Sequence, residues 1–176
     1  MSRWTAHVEM VNETIQGGYY VSHDDLRSAP ALVRGLEGAK ALRDPALVID
    51  VDVGRNTEGF LLDAGSFRLQ APAKAADALS GYVGRSVSFG VRPSDIFGKD
   101  NLPPSLTATG GNTIKALCEV TEPMGDRMHL YLSAAPHSFI ADVDAETGVQ
   151  EEQEVELVLD LNRSHAFDKK TEQALY

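Results

Sequence analysis

Arg92, Ser94 and Asp95 come nearest, by type and spacing, to residues that could carry chemistry. They end the alternating stretch SVSFGVR, and Pro93 must terminate that strand because it has no N–H to donate to a ladder. A serine and an aspartate on one turn, with a distant His165, are the group types of a hydrolase. The sequence has no GxSxG motif, so a stand-alone hydrolase using Asp95 and His165 is a secondary hypothesis.

The same turn also has a purely structural explanation. Asp95 can accept hydrogen bonds from backbone N–H groups of the turn that Pro93 opens, and Arg92 is placed to pair with an acidic neighbour. A rigid corner of this kind needs fewer assumptions than a ligand contact, and both interpretations remain open. Before the corner, Val87 and Phe89 alternate with serine and glycine, which predicts a strand buried on one face only.

Phosphate-binding residues are not arranged as a P-loop requires. The order GxxxxGK[ST] finds its Gly–Lys pair only at Gly98 and Lys99, where Asp100 occupies the hydroxyl position and Pro93 the first glycine position. We therefore expect no nucleotide hydrolysis by this chain alone, and no ATP or Mg²⁺ bound by it.

Metal sites and a reactive thiol are also poorly supported. The five histidines show no metal-ligand spacing, and one cysteine cannot complete a Cys-rich zinc site. Cys118 lies on the apolar face of a predicted strand and is expected to be a small core residue, not a nucleophile. His23 and the two aspartates after it could hold a cation, but a helix N-cap explains them more simply.

Composition restricts the class of partner. The chain has 16 Lys plus Arg against 26 Asp plus Glu, a formal charge of −10, and 7% aromatic residues. Nucleic-acid binders need cationic surfaces and stacking side chains, so we expect no nucleic-acid partner. No apolar run reaches the roughly 20 residues that cross a bilayer, and the first residues lack a secretory signal, so a cytoplasmic protein is expected.

The hydrophobic pattern changes its period near residue 46. Earlier, residues 5–11 and 18–21 suit two short strands, and residues 26–42 repeat apolar residues at helical spacing. Later, alternation with period two predicts strands at ALVIDVDV, GFLLDA, SFRLQA, SVSFGVR, TIKALCEV, RMHLYL, SFIADVD and EVELVLDL. In the fifth of these runs, the alternation places four residues on one face, namely Ile114, Ala116, Cys118 and Val120.

These strands predict a mainly β fold, a small antiparallel barrel or sandwich. A Pro- and Gly-rich loop at residues 100–112 separates two β-rich halves, 46–108 and 112–176. The segment 1–45 before them is of less certain type, either a short hairpin plus helix, a linker or an insertion. Residues 73–79 suit one or two helical turns.

Three fragments form a recognisable set in the β-rich part of the chain. They are FGVRPSDI (89–96), EVTEPMGDRMHLYL (119–132) with FIADVDAET (139–147), and VELVLDLNRSHAFDKKTEQAL (155–175). Together, and in this order, they resemble the C-terminal regulatory region of ATP-binding subunits of ABC importers of the maltose and multiple-sugar type. The matches cover about residues 60–176.

The resemblance implies two intertwined, β-barrel-like modules of the oligonucleotide/oligosaccharide-binding (OB) type, called transport-associated OB (TOBE) domains. It implies a non-catalytic regulatory and dimerisation domain, with ATP and Mg²⁺ belonging to the parent ATPase. Its partners would be a second copy of itself and, through that ATPase, the membrane-spanning permease subunits. A regulatory protein or a small ligand also binds in some members. The location implied is cytoplasmic, at the inner face of the cell membrane.

The motifs and the residue types together supply eight candidate interaction or turn residues, which are Arg92, Pro93, Asp95, Glu122, Gly125, His165, Phe167 and Asp168. Phe167 is expected in the core and Asp168 as a hydrogen-bond acceptor in a turn, while the role of His165 is open. The alternative function is a module that senses a sugar or an oxyanion between its two β halves.

The chain departs from the family pattern at three places, all relevant to turn geometry. Ser94 stands where the family commonly has Glu, Glu152 with Gln153 stands where a Gly–Asp turn is usual, and Glu172 stands where Gly is common.

Overall fold

The computed structural model describes residues 18–21 and 46–176. The strands in these residues are β1 (Gly18–Val21), β2 (Ala46–Asn56), β3 (Gly59–Asp63), β4 (Arg68–Gln70), β5 (Ser86–Val91), β6 (Ile96–Gly98), β7 (Thr113–Pro123), β8 (Arg127–Ala134), β9 (His137–Asp144), β10 (Gln153–Leu159) and β11 (His165–Phe167). The strand predicted at 5–11, the helix at 26–42 and the His23 cap lie outside the described residues.

In the described part of the chain, one short helix and several 3-10 turns connect the strands. The helix α1 (Ala76–Leu79) is flanked by 3-10 turns at Ala73–Ala75 and Ser80–Tyr82, which agrees with the predicted helical turns. The other 3-10 turns are Pro93–Asp95, Ala145–Thr147 and Leu161–Arg163.

The strands form two antiparallel sheets. The first has the order β11-β5-β2-β3-β4, with β1 also paired to β2, and the second has the order β6-β10-β7-β8-β9. Alternation explains the first sheet: Ile49, Val51 and Val53 of β2 are buried, while Asp50 and Asp52 between them are exposed. The predicted mainly β, antiparallel class is confirmed.

The two β-rich halves of the sequence exchange strands. After β5 ends at Val91, the chain crosses through the Pro93–Asp95 turn to the second sheet, where β6 pairs with β10. After β10, the chain crosses back, and β11 pairs with β5. The two crossings are bonded to each other, since the Asp160 N–H donates to the Asp95 carbonyl oxygen at 2.9 Å. This exchange is the intertwined arrangement that the resemblance implies.

A shared core and a close loop contact join the sheets. Leu62 and Phe89 of the first sheet belong to the same buried cluster as Leu132 of the second. Gly111, in the predicted loop, accepts a hydrogen bond from the Gln70 N–H at 2.7 Å. A Cβ at Gly111 would lie 2.7 Å from the Gln70 Cβ, so only glycine permits this approach.

Two predictions about strand faces are wrong. The strand β5 is buried on both sides, since Ser88 and Gly90 are buried as well as Val87 and Phe89. Val120 is 49% exposed and does not share the buried face of Ile114, Ala116 and Cys118. The pairing of β7 with β8 shifts between Cys118 and Val120, and one extra residue in a strand moves all later side chains to the opposite face.

Candidate functional site

Asp95 lies at the point where the two crossings meet. Its side chain is fully buried, and its Oδ1 accepts a hydrogen bond from the Arg163 guanidinium at 2.8 Å. The expectation that the Asp95 carboxylate binds N–H groups of its own turn is therefore wrong, because Arg163 takes this role from the other crossing. Asp95 holds the corner together through charge and backbone contacts with residues 160–163.

Arg92 forms no ion pair with an acidic side chain of the described residues, contrary to expectation. Its Nε is buried and has no hydrogen-bond partner in residues 18–21 and 46–176. The nearby carboxylate of Asp95 is bound by Arg163, although the Oδ2 of Asp95 has no partner in the described part. Pro93 is buried as the first residue of the 3-10 turn, a position where the missing N–H costs little.

His165 belongs to a packed group with Tyr176 and Lys74. Its Nδ1 lies 3.0 Å from the Tyr176 carbonyl oxygen, and burial lowers the pKa of the His165 ring. Burial also raises the pKa of Tyr176 to about 12. The Lys74 Nζ lies 5.5 Å from the centre of the Tyr176 ring and donates to the Asn162 carbonyl oxygen at 2.6 Å. These contacts give His165 a packing role.

The hydrolase hypothesis gains nothing from this geometry. Among the described contacts, no hydrogen bond links Ser94, Asp95 and His165, and Asp95 is committed to Arg163. Cys118 is fully buried, and burial raises the pKa of its thiol, so it is a core residue and not a ready nucleophile.

Phe167 and Asp168 close the last strand. Phe167 is 1% exposed. The carboxylate of Asp168 accepts bonds from the Lys170 N–H at 2.8 Å, the Thr171 N–H at 2.6 Å and the Tyr82 hydroxyl at 2.7 Å. These donors, the Thr171 N–H first and then the Tyr82 hydroxyl, lower the pKa of Asp168 to about 2. The structure thus places Asp168 as the acceptor of a turn.

Glu152 and Glu172 adopt left-handed backbone conformations, each with φ of 60°. Both stand where the family pattern has a Gly–Asp turn or a Gly. Glycine adopts positive φ without the clash that a Cβ causes. The chain therefore keeps the turn geometry at both positions and accepts the strain of an L-residue there.

Glu122 and Gly125 belong to the hairpin between β7 and β8. Gly125 has φ of 86° and is exposed at the turn. The Tyr131 hydroxyl donates to the Glu122 Oε2 at 2.8 Å, and the His129 Nδ1 lies 4.0 Å from the same oxygen. These contacts lie on the outer side of β7 and β8, away from the residues at the crossings.

A cavity is the feature that sequence reasoning missed. It has a volume of about 330 Å³ and lies between β6 with the loop after it and the corner where β8 begins and β9 ends. Its lining includes Phe97 and Asn101 on one side and Arg127 and Asp142 on the other. No candidate residue from the sequence lines it, because the loop after β6 and the β8–β9 corner that it faces are more than 20 positions apart along the chain.

Within residues 18–21 and 46–176, no three His, Cys, Asp or Glu side chains are grouped so that they could hold a metal ion. In the same part of the chain, no helix has the length and hydrophobicity needed to span a bilayer.

Two known proteins are similar to this chain in sequence. No family model matches the chain. The trehalose/maltose import ATP-binding protein MalK of Thermococcus litoralis is 34% identical over 122 residues, which are 68% of this chain and 32% of MalK. The oligosaccharides import ATP-binding protein MsmX of Bacillus subtilis is 34% identical over 121 residues, again 68% of this chain and 32% of MsmX. The chain thus spans about a third of the length of these relatives.

Similarity in structure concerns the fold. The cytoplasmic molybdate-binding protein ModG, in a crystal form with molybdate bound, superimposes with a TM-score of 0.52 at 13% identity, covering 68% of this chain and 93% of ModG. At this identity the likeness shows the fold alone. The chain is thus related to part of the ATP-binding subunits of sugar ABC importers and has an OB-type fold, as its three motifs predicted.

Proposed function

We propose that this chain is a non-catalytic regulatory and dimerisation domain of the ATP-binding subunit of an ABC importer for sugars or related solutes. Its relation to two sugar-import ATP-binding proteins over 68% of its length supports this role. By holding two subunits together, the domain raises the effective concentration of one ATPase domain for the other. ATP and Mg²⁺ would then bind to the parent ATPase, which contacts the permease at the cytoplasmic side of the membrane.

The observation that carries the dimer role is a set of exposed apolar side chains on the outer side of β7 and β8, beside Glu122. Leu117 is 43% exposed and Val120 is 49% exposed on β7, and Met124, near the hairpin turn, is 53% exposed. Tyr131 of β8 pairs with Val120 across the two strands. We name these four residues the β7–β8 face. Apolar side chains exposed together on one surface mark sites of protein association.

The irregularity in β7 helps to create this face. If the alternation of Ile114, Ala116 and Cys118 continued, Val120 would be buried. The shift in pairing between Cys118 and Val120 instead turns Val120 to the side of Leu117. An irregularity in strand pairing that turns a valine outward favours a surface that binds a partner over a surface that only faces solvent.

Sedimentation velocity tests the dimer with a matched pair of variants. Val83 is also 49% exposed, but it lies before β5 and outside the β7–β8 face. Val120→Glu and Val83→Glu therefore add the same charge at equally exposed valines. We expect a concentration-dependent dimer for the wild type and for Val83→Glu, and a monomer for Val120→Glu.

Two results would refute the dimer role. One is a wild-type chain that stays monomeric at high concentration and does not bind the ATPase subunit that carries its counterpart. The other is equal weakening of the dimer by Val120→Glu and Val83→Glu, which would place the interface elsewhere.

The cavity beside β6 favours a second candidate function, the sensing of a small ligand. Specific binding stabilises the native state, so a ligand-dependent rise in melting temperature identifies a sensor. For a dimer that binds no ligand, the melting temperature depends on the protein concentration alone.

A further inference from the structure

The cavity beside β6 has the size and the mixed lining of a ligand site. Its volume of about 330 Å³ is at the lower end of the range of about 300–1,000 Å³ for small-molecule pockets. It is formed where the loop after β6 faces the ends of β8 and β9. Because β6 is one of the two strands exchanged between the halves, the strand exchange forms one side of the cavity.

The charges of the cavity disfavour an anion. Asp142 and Asp144 contribute two carboxylates, and Arg127 is the cation among the lining residues. The Arg127 guanidinium is already bound to Asp142, with its Nε 2.9 Å from the carboxylate Oδ1 and its Nη2 2.5 Å from the carbonyl oxygen. An oxyanion would meet a net negative lining without a free guanidinium fork to bind it.

A metal cation is disfavoured by the same lining. Asp142 is paired with Arg127, and Asp144 accepts a hydrogen bond from the Glu146 N–H at 2.8 Å. Hard cations need six or more oxygen ligands, and no group of three acidic or other metal-binding side chains occurs in the described residues. The lining therefore disfavours small anions and hard metal cations.

The uncharged lining combines hydrogen-bonding groups with apolar surface. The side chains of Asn101 and Thr147 line the cavity and form no hydrogen bond with residues 18–21 and 46–176, so both are available to a ligand. Phe97, Pro103 and Pro104 provide rigid apolar walls. A sugar ring presents hydroxyls at its edge and C–H groups on its face, and carboxylate and amide groups can accept from and donate to those hydroxyls.

Gly98 keeps part of the space open. A Cβ at Gly98 would lie 3.9 Å from the Thr147 Oγ1, an ordinary van der Waals contact. Its backbone does not have positive φ, and it pairs with Leu157 of β10 in a regular register. The strand can therefore accommodate a larger side chain at position 98, and that side chain would occupy the cavity beside Thr147.

We propose that this cavity binds a neutral sugar of one or two rings, with Asn101, Thr147 and the free carboxylate oxygens of Asp142 and Asp144 as its hydrogen-bonding groups. The apolar walls contact the ring face. The proposal rests on the second candidate function, the sensing of a small ligand at this cavity, and names its ligand class; it does not require the dimer role.

Isothermal titration calorimetry on the full chain tests the site with glucose, maltose and trehalose as neutral probes, sodium molybdate as the anion and calcium chloride as the cation. The variants are Gly98→Val, which fills the cavity, and Asn101→Ala, which removes one amide. Asn162→Ala is the matched control, because this exposed asparagine lies in the Leu161–Arg163 turn, outside the cavity.

We expect saturable binding of at least one neutral sugar, loss of that binding in Gly98→Val, and roughly tenfold weaker binding in Asn101→Ala, as for one lost hydrogen bond. Asn162→Ala should bind as the wild type does. Absence of sugar binding, binding that Asn101→Ala leaves unchanged, or binding of molybdate or calcium in place of sugar would overturn the proposal. Titration of the Val120→Glu variant separates a failed sugar site from a failed dimer interface.

Discussion

Glycine at the two left-handed positions should stabilise the chain. Glu152 and Glu172 each have φ of 60°, a conformation that costs an L-residue about 1–2 kcal/mol. Glycine removes that cost but gains freedom in the unfolded chain, which offsets about 0.4–1 kcal/mol. We expect Glu152→Gly and Glu172→Gly each to raise the free energy of unfolding by about 0.5–1 kcal/mol, or the melting temperature by about 1–4 °C in a chain of this length.

Urea unfolding followed by circular dichroism measures this effect. A rise in the midpoint with an unchanged slope reports stability alone. Glu58→Gly is the control, because Glu58 is an exposed turn residue without positive φ, and the change removes the same charge. We expect Glu58→Gly to destabilise the chain. If Glu152→Gly and Glu172→Gly destabilise it as well, the two glutamates do not carry the conformational cost that their left-handed backbone implies.

Three further predictions concern the corner and the closing turn. Phe167→Ala should lower the free energy of unfolding by about 3–5 kcal/mol, since the ring is fully buried, and an unchanged melting temperature would remove it from the core. The pKa of Asp168 is about 2 in the folded chain against a usual 3.8, so its contribution to stability is present above pH 4 and is lost as the pH falls toward 2; thermal melts of Asp168→Asn should lack that component. Arg163→Ala leaves the buried Asp95 carboxylate without its charged donor and should lower the urea midpoint, but less in an Asp95→Asn background, as a double-mutant cycle of urea midpoints would show.

The sequence predicted the strands well because their apolar residues alternate against a shared core. The predicted runs RMHLYL, SFIADVD and EVELVLDL correspond to β8, β9 and β10, and they place Leu130, Ala141 and Leu157 in that core. The period of two was enough to predict each of these strands. Alternation alone is compatible with either a barrel or a sandwich. The three motifs predicted which of these it is, namely the OB-type architecture. Prediction of the strand exchange also came from the motifs, since nothing local in β6 or β11 shows which sheet it joins.

The failures arise where distant residues meet or where the ladder changes register. Val120 follows the apolar alternation in sequence, and only the partner strand β8 reveals the shift that exposes it. Arg163 is 68 positions from Asp95, so charge alone could not select it from the other basic residues. The cavity combines Asn101 with Asp142, whose side chains show no common pattern in the sequence. These features depend on tertiary contacts, which local periodicity does not contain.

The two proposed sites share one strand, and thermodynamic linkage connects them. β8 runs from Arg127, which lines the cavity, through Tyr131 on the β7–β8 face. If sugar changes the dissociation constant of the dimer by some factor per bound ligand, dimerisation must change the affinity for sugar by the same factor. Sugar affinity measured in the wild-type dimer and in the monomeric Val120→Glu variant gives that factor directly. A ratio of one would mean that the rigid sheet carries two independent sites, and a larger ratio would make the sugar a regulator of assembly.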